Sequence, residues 1–130
     1  MNWRLSCLLP VAALLLAGCG TSTLPPLGKV QGTITLDGAA LANAIVSFQA
    51  EDGKGRQSCG TTDAAGHYEL VYLRNIRGAK MGKHHVVIQA FAPQDPEKEI
   101  LPTRYNTKTE LEADVQQGEN PPLDFQLSSQ

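Results

Sequence analysis

The sequence predicts an all-β fold, a β-sandwich built from seven short strands. Three observations point to it. From Lys29 to Leu127 apolar and polar residues alternate with a period of two. Turn residues punctuate that stretch at short, regular intervals. No window holds a 3.6-residue apolar stripe of helical length. The folded stretch of about 100 residues matches the usual size of one sandwich and suffices for a single modest core.

The strands follow in order. Val30, Gly32, Ile34 and Leu36 share one face, with Gln31, Thr33 and Thr35 opposite, and Asp37-Gly38 makes a turn. Residues 45–50 place Val46 and Phe48 together. Residues 51–55 form a charged, Gly-rich turn, and 57–62 form a third short strand. Asp63-Ala64-Ala65-Gly66 turns the chain into a face of Tyr68, Leu70 and Tyr72. Val86, Ile88 and Ala90 are the inward set of a fifth strand. Leu111, Ala113 and Val115, alternating with Glu110, Glu112 and Asp114, give the cleanest half-buried pattern in the chain. Residues 118–122 turn into a last strand with Leu123, Phe125 and Leu127 inward. Residues 92–106 carry three prolines and five charges and read as an ordered excursion between strands five and six.

The beginning of the chain has another character. Arg4 precedes an apolar run from Leu5 to Ala17. Such a run fits a signal-peptide core and falls short of the roughly 20 residues that span a bilayer. It ends in Leu16-Ala17-Gly18-Cys19, which resembles the bacterial lipobox. The resemblance implies cleavage between Gly18 and Cys19 and lipidation of the Cys19 thiol, with membrane lipid as the first partner. Several acyl chains on one terminus anchor stably where a single chain does not. Gly20 stands where Asp would signal inner-membrane retention, which favours the outer membrane. The expected organisation is residues 1–18 as signal peptide, 19–28 as lipidated Cys and tether, and 29–130 as sandwich. The Pro-containing tether reaches roughly 28 Å at about 3.1 Å per residue.

Loss of the leader leaves 112 of the 130 residues, with 10 basic and 13 acidic side chains. This near-neutral balance does not suit a polyanion, and nucleic acid is not expected as a partner. The balance hides a split. Up to Lys83 the mature chain has 7 basic and 5 acidic residues; from His84 on it has 3 and 8. With Cys7 removed and Cys19 acylated, only Cys59 remains, so no intrachain disulfide forms. Cys59 is read as a buried, inert thiol in its strand, the alternative being an intermolecular disulfide.

Several segments in order carry a family resemblance: VQGTITLDGAALANAIVSFQAEDG, GTTDAAGHYEL, GKHHVVIQA, TRYN and ADVQQGENPPLDFQL. Together they resemble small bacterial lipoproteins with a carboxypeptidase regulatory-like, transthyretin-like domain. The resemblance implies a prealbumin-like Greek-key sandwich and no reaction, because such domains are accessory to separate catalytic domains. In similar proteins an aromatic residue often stands at the place of His84, and His84 is read here as a half-buried packing residue.

Candidate chemistry is sparse. His84 and His85 are adjacent on a strand and point to opposite faces, and His67 is the only other histidine, so no metal is expected. Asp37, Glu51, Asp52 and Asp63 sit in or beside turns without calcium-loop spacing. Hydroxyisourate hydrolases of transthyretin-like fold end in Tyr-Arg-Gly-Ser, whereas this chain ends in Leu127-Ser128-Ser129-Gln130. No catalytic residue, enzymatic activity or cofactor is expected. Arg74, Arg77, Lys80 and Lys83 form the one basic cluster, either a contact for an anionic partner near the membrane or a solvated loop. Tyr105, beside Arg104, is the freest aromatic ring, either a glycan contact or a pin that holds the excursion to the sandwich. The expected function is that of a non-catalytic, lipid-anchored envelope protein with a structural or protein-interaction role. The alternative is an accessory module that binds envelope glycan.

Overall fold

The computed structural model describes residues 24–130. Gly18 and Cys19, the residues of the expected cleavage and lipidation, lie outside the described residues. The described chain is all-β: fifteen short strands and one 3-10 turn at Thr103–Tyr105. The strands are β1 (Leu27–Lys29), β2 (Gln31–Leu36), β3 (Ala39–Ala40), β4 (Ile45–Ala50), β5 (Ser58–Thr61), β6 (His67–Glu69), β7 (Val71–Leu73) and β8 (Ile76–Arg77). They continue as β9 (Ala79–Lys80), β10 (Gly82–Gln89), β11 (Phe91–Ala92), β12 (Asp95–Glu99), β13 (Leu111–Val115), β14 (Gly118–Glu119) and β15 (Phe125–Leu127).

A six-stranded sheet runs β13-β10-β4-β5-β7-β8. A second sheet runs β15-β2-β3, with β6 also paired to β2, and a third runs β14-β1-β9. The register follows the alternation of the sequence. Val86 pairs with Phe48 and Ile88 with Val46, so the apolar sets of β4 and β10 share one face. That face and the inward residues of the smaller sheets form one core. Val30, Ile34, Val46, Phe48, Leu70, Val86 and Ile88 are fully buried. Burial of each large apolar side chain contributes about 1.5–3 kcal/mol.

Two of the seven expected strands are each divided. The first breaks at Val30 and the fourth at Leu70, and these residues meet: the Leu70 amide donates to the Val30 carbonyl at 2.9 Å. On one side of the break β6 pairs with β2; on the other β7 pairs with β5. The chain crosses from one sheet to another there without losing its inward parity, and Tyr68, Leu70 and Tyr72 all stay buried.

The Asp37-Gly38 turn has both residues at positive φ, 52° and 85°, as the tight hairpin turn between β2 and β3 requires. Residues 118–122 do more than turn, since Gly118 and Glu119 pair in parallel with Gly28 and Lys29. The Pro-rich excursion is a hairpin, β11 with β12, followed by the 3-10 turn. Its base belongs to the core: Leu101, Tyr105 and Asn106 are 5%, 8% and 6% exposed. The Glu99 carboxylate accepts from the amides of Ala90 (2.9 Å) and Leu101 (3.1 Å), which clamps the excursion at its neck.

Candidate functional site

The basic cluster of the sequence does not form a single patch. The Arg77 guanidinium donates to both Glu69 carboxylate oxygens at 3.1 Å. Lys80 Nζ lies 2.9 Å from Asp52. Lys83 sits in β10 opposite Asp114 of β13. Asp52 is held below the usual carboxylate range, first by the Lys54 amide hydrogen bond and then by the one from Lys80. Lys83 lines shallow clefts whose walls carry acidic residues, Glu51 and Asp52 in one and Glu112 and Asp114 in another, whereas Arg74 faces a cleft without an acidic side chain.

That cleft is a trough of about 790 Å³ along β5 and β7. Arg56 and Arg74 stand on it; Cys59, Val71 and Leu73 line it, with Tyr72 beneath. Strand parity explains the lining. Ser58 and Tyr72 point into the core, 0% and 8% exposed, so their neighbours Cys59, Val71 and Leu73 point outward. Cys59 is therefore not the buried thiol expected; it is partly exposed on the outer face, 3.5 Å from the Ser47 hydroxyl. The same alternation that placed Ser58 inward placed Cys59 outward, a signal in the sequence that the buried-thiol expectation missed. Arg56 is the other residue that sequence reasoning passed over. It follows a Gly-rich turn and shares no sequence neighbourhood with Arg74.

The outer face of the six-stranded sheet continues from the trough. Val87, Ser47, Cys59 and Val71 are successive cross-strand neighbours. Val71 is 37% and Ile45 36% exposed, large apolar groups on an open sheet face.

Arg104 and Tyr105 are built differently from a sugar platform. The Tyr105 hydroxyl accepts from the Ser128 amide at 3.0 Å and the ring is 8% exposed. The Arg104 guanidinium lies 4.7 Å from the ring centroid and donates to the carbonyls of Ser128 (2.8 Å) and Gln130 (2.6 Å). Of the two sequence readings, this is the pin: the pair ties the excursion to the C-terminal segment.

His84 is buried outright, 2% exposed, rather than half-buried. Its ring lies 5.6 Å from that of Phe48, Nε2 is 2.6 Å from the Lys80 carbonyl, and Nδ1 has no partner. It fills the space of an aromatic core residue. Among the described residues no group of three or more His, Cys, Asp or Glu side chains is placed to hold a metal. Asp63 caps its own turn, accepting from the amides of Ala65 and His67 at 2.9 Å. Asp37 accepts from the Ser129 hydroxyl (2.6 Å) and amide (3.0 Å), and these bonds, the hydroxyl's first, lower its pKa.

No protein family, curated protein or solved structure matches this chain. Function therefore rests on the residues and their arrangement.

Proposed function

We propose that this chain is a non-catalytic, lipid-anchored module of the bacterial cell envelope that holds a protein partner at the membrane surface. In this reading residues 1–18 direct export, Cys19 carries the lipid, and a short tether presents a Greek-key sandwich of transthyretin-like, carboxypeptidase regulatory-like type. The outer membrane is the preferred site, from Gly20. The observation that carries the interaction role is the open outer face of the six-stranded sheet. It combines exposed Val71 and Ile45 with a trough flanked by arginines. Exposed apolar surface rimmed by polar groups is the usual mark of a docking site. A sugar-stacking role would need an open ring, and Tyr105 is turned into the fold.

Two measurements test the proposal. Metabolic labelling with a palmitate analogue should mark the wild-type chain and leave Cys19→Ala unmarked; equal labelling refutes the anchor. A photo-crosslinking amino acid at position 45 or 71 should capture an envelope protein in cells, whereas one at exposed Lys98 should not. Absence of any adduct from the sheet face refutes the interaction role.

A further inference from the structure

We propose that the trough between β5 and β7 binds an acidic peptide segment of the partner, with a carboxylate seated between Arg56 and Arg74 and apolar neighbours against Val71 and Leu73. The proposal rests on the interaction role above and supplies the chemistry of the partner.

The register of the sheet carries it. β5 and β7 are antiparallel and share one pair, Cys59 with Val71. Continued by the antiparallel rule, the ladder would set Ser58 opposite Tyr72, Gln57 opposite Leu73 and Arg56 opposite Arg74. Like charges directly opposite each other on a sheet are destabilising. The ladder stops after its single pair, and the trough opens toward the two arginines. An anion between them would replace that repulsion with two charge-assisted contacts, for which the guanidinium fork is suited.

Charge pairing elsewhere sharpens the assignment. Lys29, Arg77 and Lys80 each have an acidic partner within 3.5 Å. Among the described residues Arg56 and Arg74 have none, and no acidic side chain lines the trough. Lys54, Lys83, Lys98 and Lys108 also have no ion pair among the described residues; Arg56 and Arg74 differ in lining one trough together, where a single anion from outside can reach both. Between the arginines the trough is lined by Val71, 37% exposed, by Leu73 and Cys59, partly so, and by the exposed amide side chain of Gln57. A chain that alternates acidic and apolar residues matches both features. An anionic bilayer does not, because two of the four cations in the 74–83 segment are already neutralised within the domain.

Cys59 lies in the trough and reports its occupancy. The full lipidated chain in nanodiscs is treated with a thiol-alkylating reagent, and modification at Cys59 is followed by peptide mass spectrometry. The probe is a capped hexapeptide alternating Asp or Glu with Val or Leu. Its control replaces the acids with Asn and Gln. The acidic peptide should slow Cys59 alkylation, and the control should not. In an Arg56→Gln, Arg74→Gln double variant, compared with and without peptide, the concentration needed for protection should rise about tenfold. Raising the salt should act in the same direction. Equal protection by the control, or an unaltered double variant, overturns the proposal. So does protection by phosphatidylglycerol nanodiscs or cell-wall glycan where the acidic peptide gives none, or protection that rises with the chain's own concentration alone. Capture from position 71 in cells that survives the double variant overturns this site while leaving the interaction role standing. Absence of capture from either sheet-face position overturns that role itself.

Discussion

The hydroxyl of Tyr68 donates to the carbonyl oxygen of Leu123 at 2.5 Å, joining segments 55 residues apart. Tyr68 is 1% exposed, and the Leu123 amide in turn donates to the Gln31 carbonyl. The C-terminal strand is thus fastened to β2 and β6 together. Loss of the hydroxyl would leave a carbonyl without its partner, so Tyr68→Phe is expected to cost about 1–3 kcal/mol in denaturant unfolding. Burial, and then the charge of Asp124, raise the phenol's pKa above its ordinary value. A raised pKa stabilises the fold fully below the unfolded value of about 10, and that contribution fades as the pH climbs above it. Alkaline loss of stability above about pH 10 should therefore be weaker in Tyr68→Phe.

The same crossing explains a glycine. A Cβ on Gly32 would stand 2.0 Å from the Leu123 carbonyl oxygen, which is backbone and cannot swing aside. Gly32→Ala is expected to lose about 2–3 kcal/mol of stability. Gly38→Ala, where a Cβ would meet nothing within 4 Å but φ is +85°, should lose less, about 1 kcal/mol. Urea midpoints of the two variants give the comparison, and equal losses would refute the contact argument.

Among the described residues three buried side-chain polar atoms have no partner, the Ser58 hydroxyl, His84 Nδ1 and Glu99 Oε2, and the first two should respond in different ways. The Ser58 hydroxyl is fully buried with no hydrogen bond, so Ser58→Ala is expected to raise stability by about 1 kcal/mol. His84 fills volume against Phe48. His84→Phe should leave stability within about 1 kcal/mol of wild type, and His84→Ala should lose about 3 kcal/mol through the cavity. A Phe variant as unstable as the Ala variant would show that the Lys80 carbonyl bond, not the ring, matters.

Asp37 fastens the C-terminus through Ser129. Because its pKa is lowered in the fold, its contribution is complete above the ordinary carboxylate value of about 3.9 and is lost as the pH falls through the folded value. The Ser129 amide resonance should move in that acid range in wild type. In Asp37→Asn it should stay still. A shift shared by both would place the titration elsewhere.

Much of the fold was legible because a period of two states which face of a strand is buried. Val46 with Phe48, Val86 with Ile88, and Tyr68, Leu70 and Tyr72 all lie inward as the alternation predicts. Seven alternating runs appear as more and shorter strands because alternation reports the face and not the neighbour. Nothing in the residues around Val30 or Leu70 shows that the chain changes sheets there; that follows from the hydrogen bond between them. Tyr105 was legible as one of two things, and the Ser128 amide decided between them.

The sequence by itself determined the all-β class, the inward residues of most strands though not of the strand that carries Cys59, the Asp37-Gly38 turn and the leader-like start that resembles a lipobox. These are local properties, set by side-chain parity, turn conformation and the length of an apolar run. Only the tertiary structure decided which charges meet. The contiguous run from Arg74 to Lys83 was divided by Glu69, eight residues before its partner Arg77, and by Asp52, 28 residues before its partner Lys80. Arg56 and Arg74, 18 positions apart, came to line one trough because β5 and β7, the strands they flank, pair at Cys59 and Val71. Coulomb energy depends on distance in space, and distance in space is fixed by strand pairing rather than by order along the chain.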